Sequence, residues 1–264
     1  MKKIKLLTLL TLLFLMTAFA AGCSKNSSAP ADAPESKKTS YVMGLDDTFA
    51  PMGFRDEKGT LVGFDIELAN EAAKRMGITI EFQPIDWSMK ETELNEGNID
   101  FIWNGYSINN ERKEKVAFSD AYLQNSQIIV VLADSSVKTK DDLAGKNVAV
   151  QAESSALDAV NAEPEFVAKV KELVEFSTNN EAFMDLEAGR SDALVVDEVL
   201  ARYYMKQNGQ EKYRVLEENF GDEEYAVGLR KDDAELLKNL NAALDEMKKD
   251  GTYDGIHAKW FSEN

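Results

Sequence analysis

Ser107 and Arg112 share the stretch Asp100 to Arg112, DFIWNGYSINNER, and their types suit the capture of a small anion. The apolar run Phe101-Ile102-Trp103 predicts a buried strand. It breaks into the polar turn Asn104-Gly105-Tyr106-Ser107 and then a helix start that delivers Arg112. A hydroxyl, free backbone groups and a planar guanidinium at the carboxyl end of a strand form a seat for a carboxylate. The guanidinium can grip it with two parallel hydrogen bonds, which a lysine cannot. Against this, NNERKEK is also the composition of a solvated helix face, where an arginine does no more than dissolve.

Other positions carry chemistry of the same kind. Asp46 and Asp47 follow the first expected strand, where they either shape a turn or offer a carboxylate to a cationic or polar group. Asp197 follows the apolar Ala193 to Val196 and precedes a helix, so it suits both an N-cap and an anion facing a cleft. Gln151 to Ser155, QAESS, joins a strand to a helix start. Ser154 or Ser155 can cap that helix, and its free N–H groups can hold a carboxylate. Phe49 and Trp87 fit a core, or an aromatic wall against a ligand stem or cation. Arg112 alone would accept any small carboxylate. Asp197 adds a demand for an ammonium, and the pair together specifies an amino acid.

The elements that must position these residues follow from periodicity. A strand is expected at 41–45, loops with a hairpin around Lys58-Gly59, and an amphipathic helix from Phe64 to Met76 stopped by Gly77. Strand 78–83, a helix from Met89 to Glu96 and strand 99–103 complete a β-α-β-α-β unit. The pattern restarts with strands at 128–132, 147–151, 172–176 and 193–196. Helices are expected at 140–143, 154–161, 180–188 and 198–207. A strand at 225–230 and helices at 233–249 and 252–261 are too few for a third domain and must pack back on one of the two. Two α/β units place a ligand crevice between them, at the carboxyl ends of strands.

Composition narrows the class. The 264 residues carry a formal charge of −17, which disfavours nucleic acid and adsorption to anionic lipid. One His, His257, and one Cys, Cys23, exclude a disulfide framework and any His-pair or thiolate metal centre within one chain. His257 has no acidic partner nearby in sequence and reads as structural or surface. No metal and no cofactor are expected. Lys2, Lys3 and Lys5 precede an apolar stretch from Leu6 to Ala21, which reads as a secretory signal peptide over 1–22. The run ends in AAGC and resembles a bacterial lipobox, with Cys23 as the lipid-bearing, palmitate-carrying residue and Ala20 where Leu is commonest. Residues 23–40, rich in Ser, Ala, Pro and charge, read as a disordered tether.

Five segments, in order, resemble the family-3 extracellular solute-binding proteins, amino-acid receptors of ABC importers. They are GFDIELANEAAKRMG (63–77), GYSINNERKEKVAFS (105–119), LAGKNVAVQ (143–151), GRSDALVVD (189–197) and DGTYDGIHAKWF (250–261). The resemblance implies an α/β, two-lobed periplasmic-binding-protein-like fold, its lobes joined by a two-strand hinge. Lobe one would be 41–122 with 225–264, lobe two 127–220, and the hinge 123–126 with 221–224. It implies that Arg112 clamps an α-carboxylate, assisted by Ser107 and backbone near Ser154 and Ser155. The Gly105 carbonyl, Ser107 and Asp197 would receive the α-ammonium, Phe49 and Trp87 would sandwich the side chain, and Asp46 and Gln151 would lie near its distal end. Three departures stand out: Asn109-Asn110 for Thr-Pro, Glu153 for Gly, and Trp103-Asn104 for smaller residues, with Asn104 able to read a polar side chain.

The expected function is lipid-anchored capture of a polar amino acid, cationic or amide-bearing, on the extracellular face of a bacterial cell membrane. The partners would be a free amino acid, an ABC importer permease and the membrane through the N-terminal lipid; the protein would be a monomer. Cystine is an alternative ligand. A cyclohexadienyl-dehydratase-like enzyme on the same fold, with Glu153 or Asp197 as acid, is the rival of another class. A sensory domain of a signalling receptor is a second rival.

Overall fold

The computed structural model describes residues 38–262; the expected signal peptide, Cys23 and most of the tether lie outside them. The first five-stranded sheet is built on β1 (Ser40–Leu45), which lies parallel to β5 (Thr79–Pro84) and β6 (Phe101–Ile102). β2 (Thr48–Phe49), β3 (Gly53–Arg55) and β4 (Leu61–Val62) form a small antiparallel sheet, and the β3–β4 turn holds Lys58-Gly59 as expected. α1 (Phe64–Met76) buries Ile66, Leu68, Ala69, Ala72 and Ala73. It carries acids in its first turn and bases in its last, matching its macrodipole, and ends on Gly77 at φ 67°. α2 (Lys90–Asn95) and α3 (Asn110–Lys115) follow, then the short β7 (Ala117–Phe118).

The second sheet runs β10-β9-β11-β8-β12. β8 (Leu123–Leu132) and β9 (Asn147–Gln151) precede α4 (Ser155–Asn161) and α5 (Pro164–Val167). β10 (Glu172–Phe176), α6 (Asn179–Glu187), β11 (Ala193–Asp197) and α7 (Glu198–Asn208) complete the α/β repeat. α6 begins with a full capping box between Thr178 and Glu181. Ile128 and Val130 of β8 belong to one apolar cluster and Ile129 and Val131 to another, so this strand is buried on both faces.

β12 (Tyr213–Tyr225) was not among the expected strands beyond the short hinge at 221–224. It pairs antiparallel with β8 from Tyr213↔Leu132 to Tyr225↔Leu123, with two register shifts in between. Its far end meets the loop after β6 through a Ser107↔Tyr225 bridge, so β8 and β12 connect the two sheets. β13 (Gly228–Leu229) then joins the first sheet between β6 and β7, and is shorter than the expected 225–230. The strand expected at 99–103 is likewise only Phe101–Ile102, because Trp103 already belongs to the turn.

α8 (Ala234–Lys249) and α9 (Thr252–Phe261) return to α1. The Phe64 ring meets Tyr253, His257 and Phe261 at 5.0–6.0 Å, so His257 is part of this aromatic packing. The result is a two-lobed α/β fold. Asp46, Asn104, Gln151 and Asp197 all sit at or just beyond the carboxyl ends of parallel strands.

Candidate ligand-binding cleft

Arg112 is only 3% exposed although its segment reads as solvent-facing. Asn109 caps α3 by accepting the Arg112 N–H at 2.8 Å, which fixes where the arginine enters the helix. Its guanidinium lies 4.6 Å over the Tyr106 ring and donates to the Ser107 carbonyl at 3.1 Å. A second nitrogen reaches the Glu153 carbonyl at 3.4 Å, in the loop after β9, and Glu91 stands 3.9 Å away. Glu153 holds a left-handed backbone at φ 52°, a conformation that disfavours a side chain and that the usual glycine would take freely. Its side chain is exposed at the surface.

The turn after β6 is locked from both sides. Gly105 adopts φ 59°, and its N–H donates to Asp65 at 2.8 Å. A Cβ here would come within 2.8 Å of Phe49 and about 3.1 Å of Tyr225. Phe49 therefore borders Gly105, while Trp87 meets the neighbouring Tyr106 edge-on at 6.0 Å. Asn104 accepts the Asp46 N–H at 3.0 Å, and its own amide nitrogen is buried without a partner. The structure thus gives Asn104 the task of holding Asp46 in place.

Asp46 is buried, and burial pushes its carboxyl above the usual range, opposed by hydrogen bonds from Thr48 and Gln151. The Gln151 contact, 3.0 Å, joins the first strand of one sheet to the second strand of the other. Gln151 is itself positioned by Asn179 and by the Ser177 carbonyl. Ser154 caps α4, donating to the Gln151 carbonyl and accepting the Leu157 N–H. Ser155 faces Ser107, hydroxyl to hydroxyl, at 3.0 Å.

Asp197 is 4% exposed and caps no N–H of α7 with its side chain. Its Oδ1 accepts from Tyr225 Oη at 2.6 Å, Asn125 Nδ2 at 2.7 Å and Gln127 Nε2 at 3.0 Å. Burial raises its pKa well above the usual carboxylate range, and the nearby Glu223 adds to the effect. Ser107 joins the two charged ends. Its carbonyl binds Arg112 and its hydroxyl donates to Glu223 Oε1 at 2.6 Å, beside Asp197.

Residues absent from the sequence reading complete this arrangement. Asn125 and Gln127 stand two apart on β8, so the strand period of two puts both on one face, and polar residues leading into IIVVL are a visible signal. Lys90, inside the helix 89–96 and unremarked there, is a buried cation donating to the same Glu153 carbonyl at 2.9 Å. Glu223 lies in an acidic run, GDEE, that carries no local mark of a site. A large groove of about 830 Å³ between α7 and α9 contains none of the expected ligand residues.

A sequence model describing bacterial extracellular solute-binding proteins, family 3, matches residues 41–263. The chain belongs to that family. It is 35% identical over 257 residues to the lysine/arginine/ornithine-binding periplasmic protein of Escherichia coli strain K12, covering 95% of this chain and 96% of the relative. An ABC uptake transporter substrate-binding protein from Streptococcus pneumoniae, solved with bound histidine, is 44% identical. It has a TM-score of 0.83 over 85% of this chain and 93% of the other. An ancestral arginine-binding protein bound to arginine is 42% identical, with a TM-score of 0.80 over 85% and 99% of the two chains.

Proposed function

We propose that this chain captures a polar amino acid at the extracellular face of a bacterial membrane and passes it to an ABC importer permease. In this reading a lipid on Cys23 holds a monomer at the surface. One observation carries it: Arg112 and Asp197 are buried at the same cleft, and among the described residues no cation pairs with Asp197. A zwitterion would give Asp197 a cation and Arg112 a carboxylate at once.

Arg112, with backbone near Ser154 and Ser155, holds the α-carboxylate. The Gly105 carbonyl, Ser107 and Asp197 hold the α-ammonium. Phe49 and Trp87 flank the side chain, and Asp46 with Gln151 lies at its far end. A buried carboxylate there favours a cationic or amide-bearing side chain, as does similarity to proteins named for, or solved with, lysine, arginine, ornithine and histidine. Lobe closure follows from the same contacts. Asp46–Gln151, Ser107–Ser155 and Arg112–Glu153 each span the two lobes, so a ligand that engages both sides favours the shut form.

The chain binds without catalysing. Of the two acids weighed for a dehydration, Glu153 is exposed at the surface and Asp197 Oδ1 is engaged by three donors that hold it as part of a binding seat. Titration calorimetry with a panel of amino acids, cystine included, tests the reading. Arg112→Ala is expected to weaken the preferred ligand by about 2–5 kcal/mol, because it leaves a buried carboxylate unpaired. Survival of binding within a few-fold would sink the assignment.

A further inference from the structure

Glu223 stands on β12 where that strand links the two sheets, and one of its oxygens collects donors from both sides of the cleft. Oε1 accepts from Ser107 Oγ at 2.6 Å, Asn125 Nδ2 at 2.6 Å, Gln127 Nε2 at 2.8 Å and Ser155 Oγ at 3.4 Å. The two amide nitrogens are the same ones that bind Asp197 Oδ1. Two carboxyl groups are therefore bridged by the same two neutral amides. Gln127 adds an independent sign of a missing ligand. It is 1% exposed, and its Oε1 has no donor. A buried acceptor left empty beside two carboxyls asks for a group with several N–H donors.

We propose that Glu223 is a second carboxylate of the ammonium seat, and that the ligand's ammonium displaces a proton shared between Glu223 and Asp197. This inference rests on the amino-acid reading above. Like charges sharing one set of donors cannot both ionise without a cation between or beside them. In the free protein the protonated Asp197 donates to Glu223, in keeping with its raised pKa. When R–NH3+ arrives, the Asp197 O–H bond breaks, the proton leaves to buffer, and the ammonium hydrogen-bonds to both carboxylates. Ser107 Oγ gives its hydrogen to Glu223 and can accept from Ser155, which leaves one lone pair for the ammonium.

The groups around the pair are few. Tyr225 donates to Asp197 from β12, and Arg112 binds the Ser107 carbonyl. Asp65 lies behind Gly105 and Tyr122, whose ring is 6.4 Å from that of Tyr225. Asp222 and Glu224 turn away to Ser126 and Gln124. The sign of the coupling is that affinity rises as pH rises through the titration of Asp197.

Calorimetry at pH 6.5 in phosphate and in imidazole, which differ in ionisation heat, counts the protons released. L-arginine, L-lysine and L-glutamine serve as ligands, since none titrates near that pH. The full chain is expected to release between about 0.5 and 1 proton per ligand bound. Glu223→Gln is expected to bind about tenfold more weakly and to release less than half as much. Binding with heats that do not depend on the buffer overturns the inference and leaves the amino-acid reading intact. Equal release from Glu223→Gln overturns it too, by showing that the proton does not depend on Glu223. No binding of any amino acid overturns the reading on which it rests. Where the variant fails to fold, wild-type heats that do not depend on the buffer still overturn the inference.

Discussion

Asp65 lies in the first turn of α1, where an acid ordinarily does no more than complement the helix dipole. Here it is closed off from solvent, and one oxygen carries both the Gly105 N–H at 2.8 Å and the Tyr122 hydroxyl at 2.9 Å. Burial pushes its carboxyl up to about 7, against the pull of those two bonds. The folded state therefore binds this proton more tightly than the unfolded chain does. The stability it contributes is fully present below about pH 4 and is lost as pH rises from there to about 7. The loss attributable to Asp65 is on the order of 4 kcal/mol. The wild type is expected to be less stable at pH 7 than at pH 5, and the gap between its two urea midpoints should narrow in Asp65→Asn. An unchanged pH slope in the variant would show that Asp65 is not the group responsible. Neither its burial nor its hold on the site is visible in GFDIE, because both depend on Tyr122 and Gly105, far along the chain. Arg112 was open to sequence reasoning only as a type at a position; its burial comes from the Asn109 cap and the Tyr106 face.

Elements whose apolar period was strong were legible, and their ends were marked by single residues. Gly77 closes α1, Ser154 opens α4 and Thr178 opens α6, each as its chemistry requires. β12 was not legible, since EENFGDEE has neither alternation nor an apolar face. Pairing with β8 holds it as a strand, at the cost of two register shifts. Glu223 was missed with it, because a glutamate among acids reads as solvated until the partner strand is known. The turn after β6 is the element on which the site most depends. Gly105→Ala forces a side chain into φ 59° and into contact with Phe49 and Tyr225. A loss of about 2–4 kcal/mol in stability is expected, combining backbone strain with overpacking, together with weakened ligand binding. Thermal unfolding and calorimetry on the same sample check it. A variant of wild-type stability would mean that the turn relaxes freely and is not built around its glycine.

Across the whole molecule, the two-lobed architecture was readable from the restart of the α/β pattern and from three trailing elements too few for a domain. The contacts between lobes were not, since Asp46 with Gln151 and Lys90 with Glu153 are separated by 105 and 63 residues and follow no local rule. These contacts bring a buried cation and a buried acid to opposite sides of one serine, which is the arrangement a zwitterion would bridge. The central claim is that both ends of an amino acid are gripped, Arg112 on one and Asp197 with Ser107 on the other. Its most direct test is calorimetry with the tightest-binding amino acid of the panel beside its decarboxylated and its deaminated analogues. Each analogue is expected to bind at least about 100-fold more weakly, a loss of about 2.7 kcal/mol. Binding of either analogue within a few-fold of the parent would contradict the account.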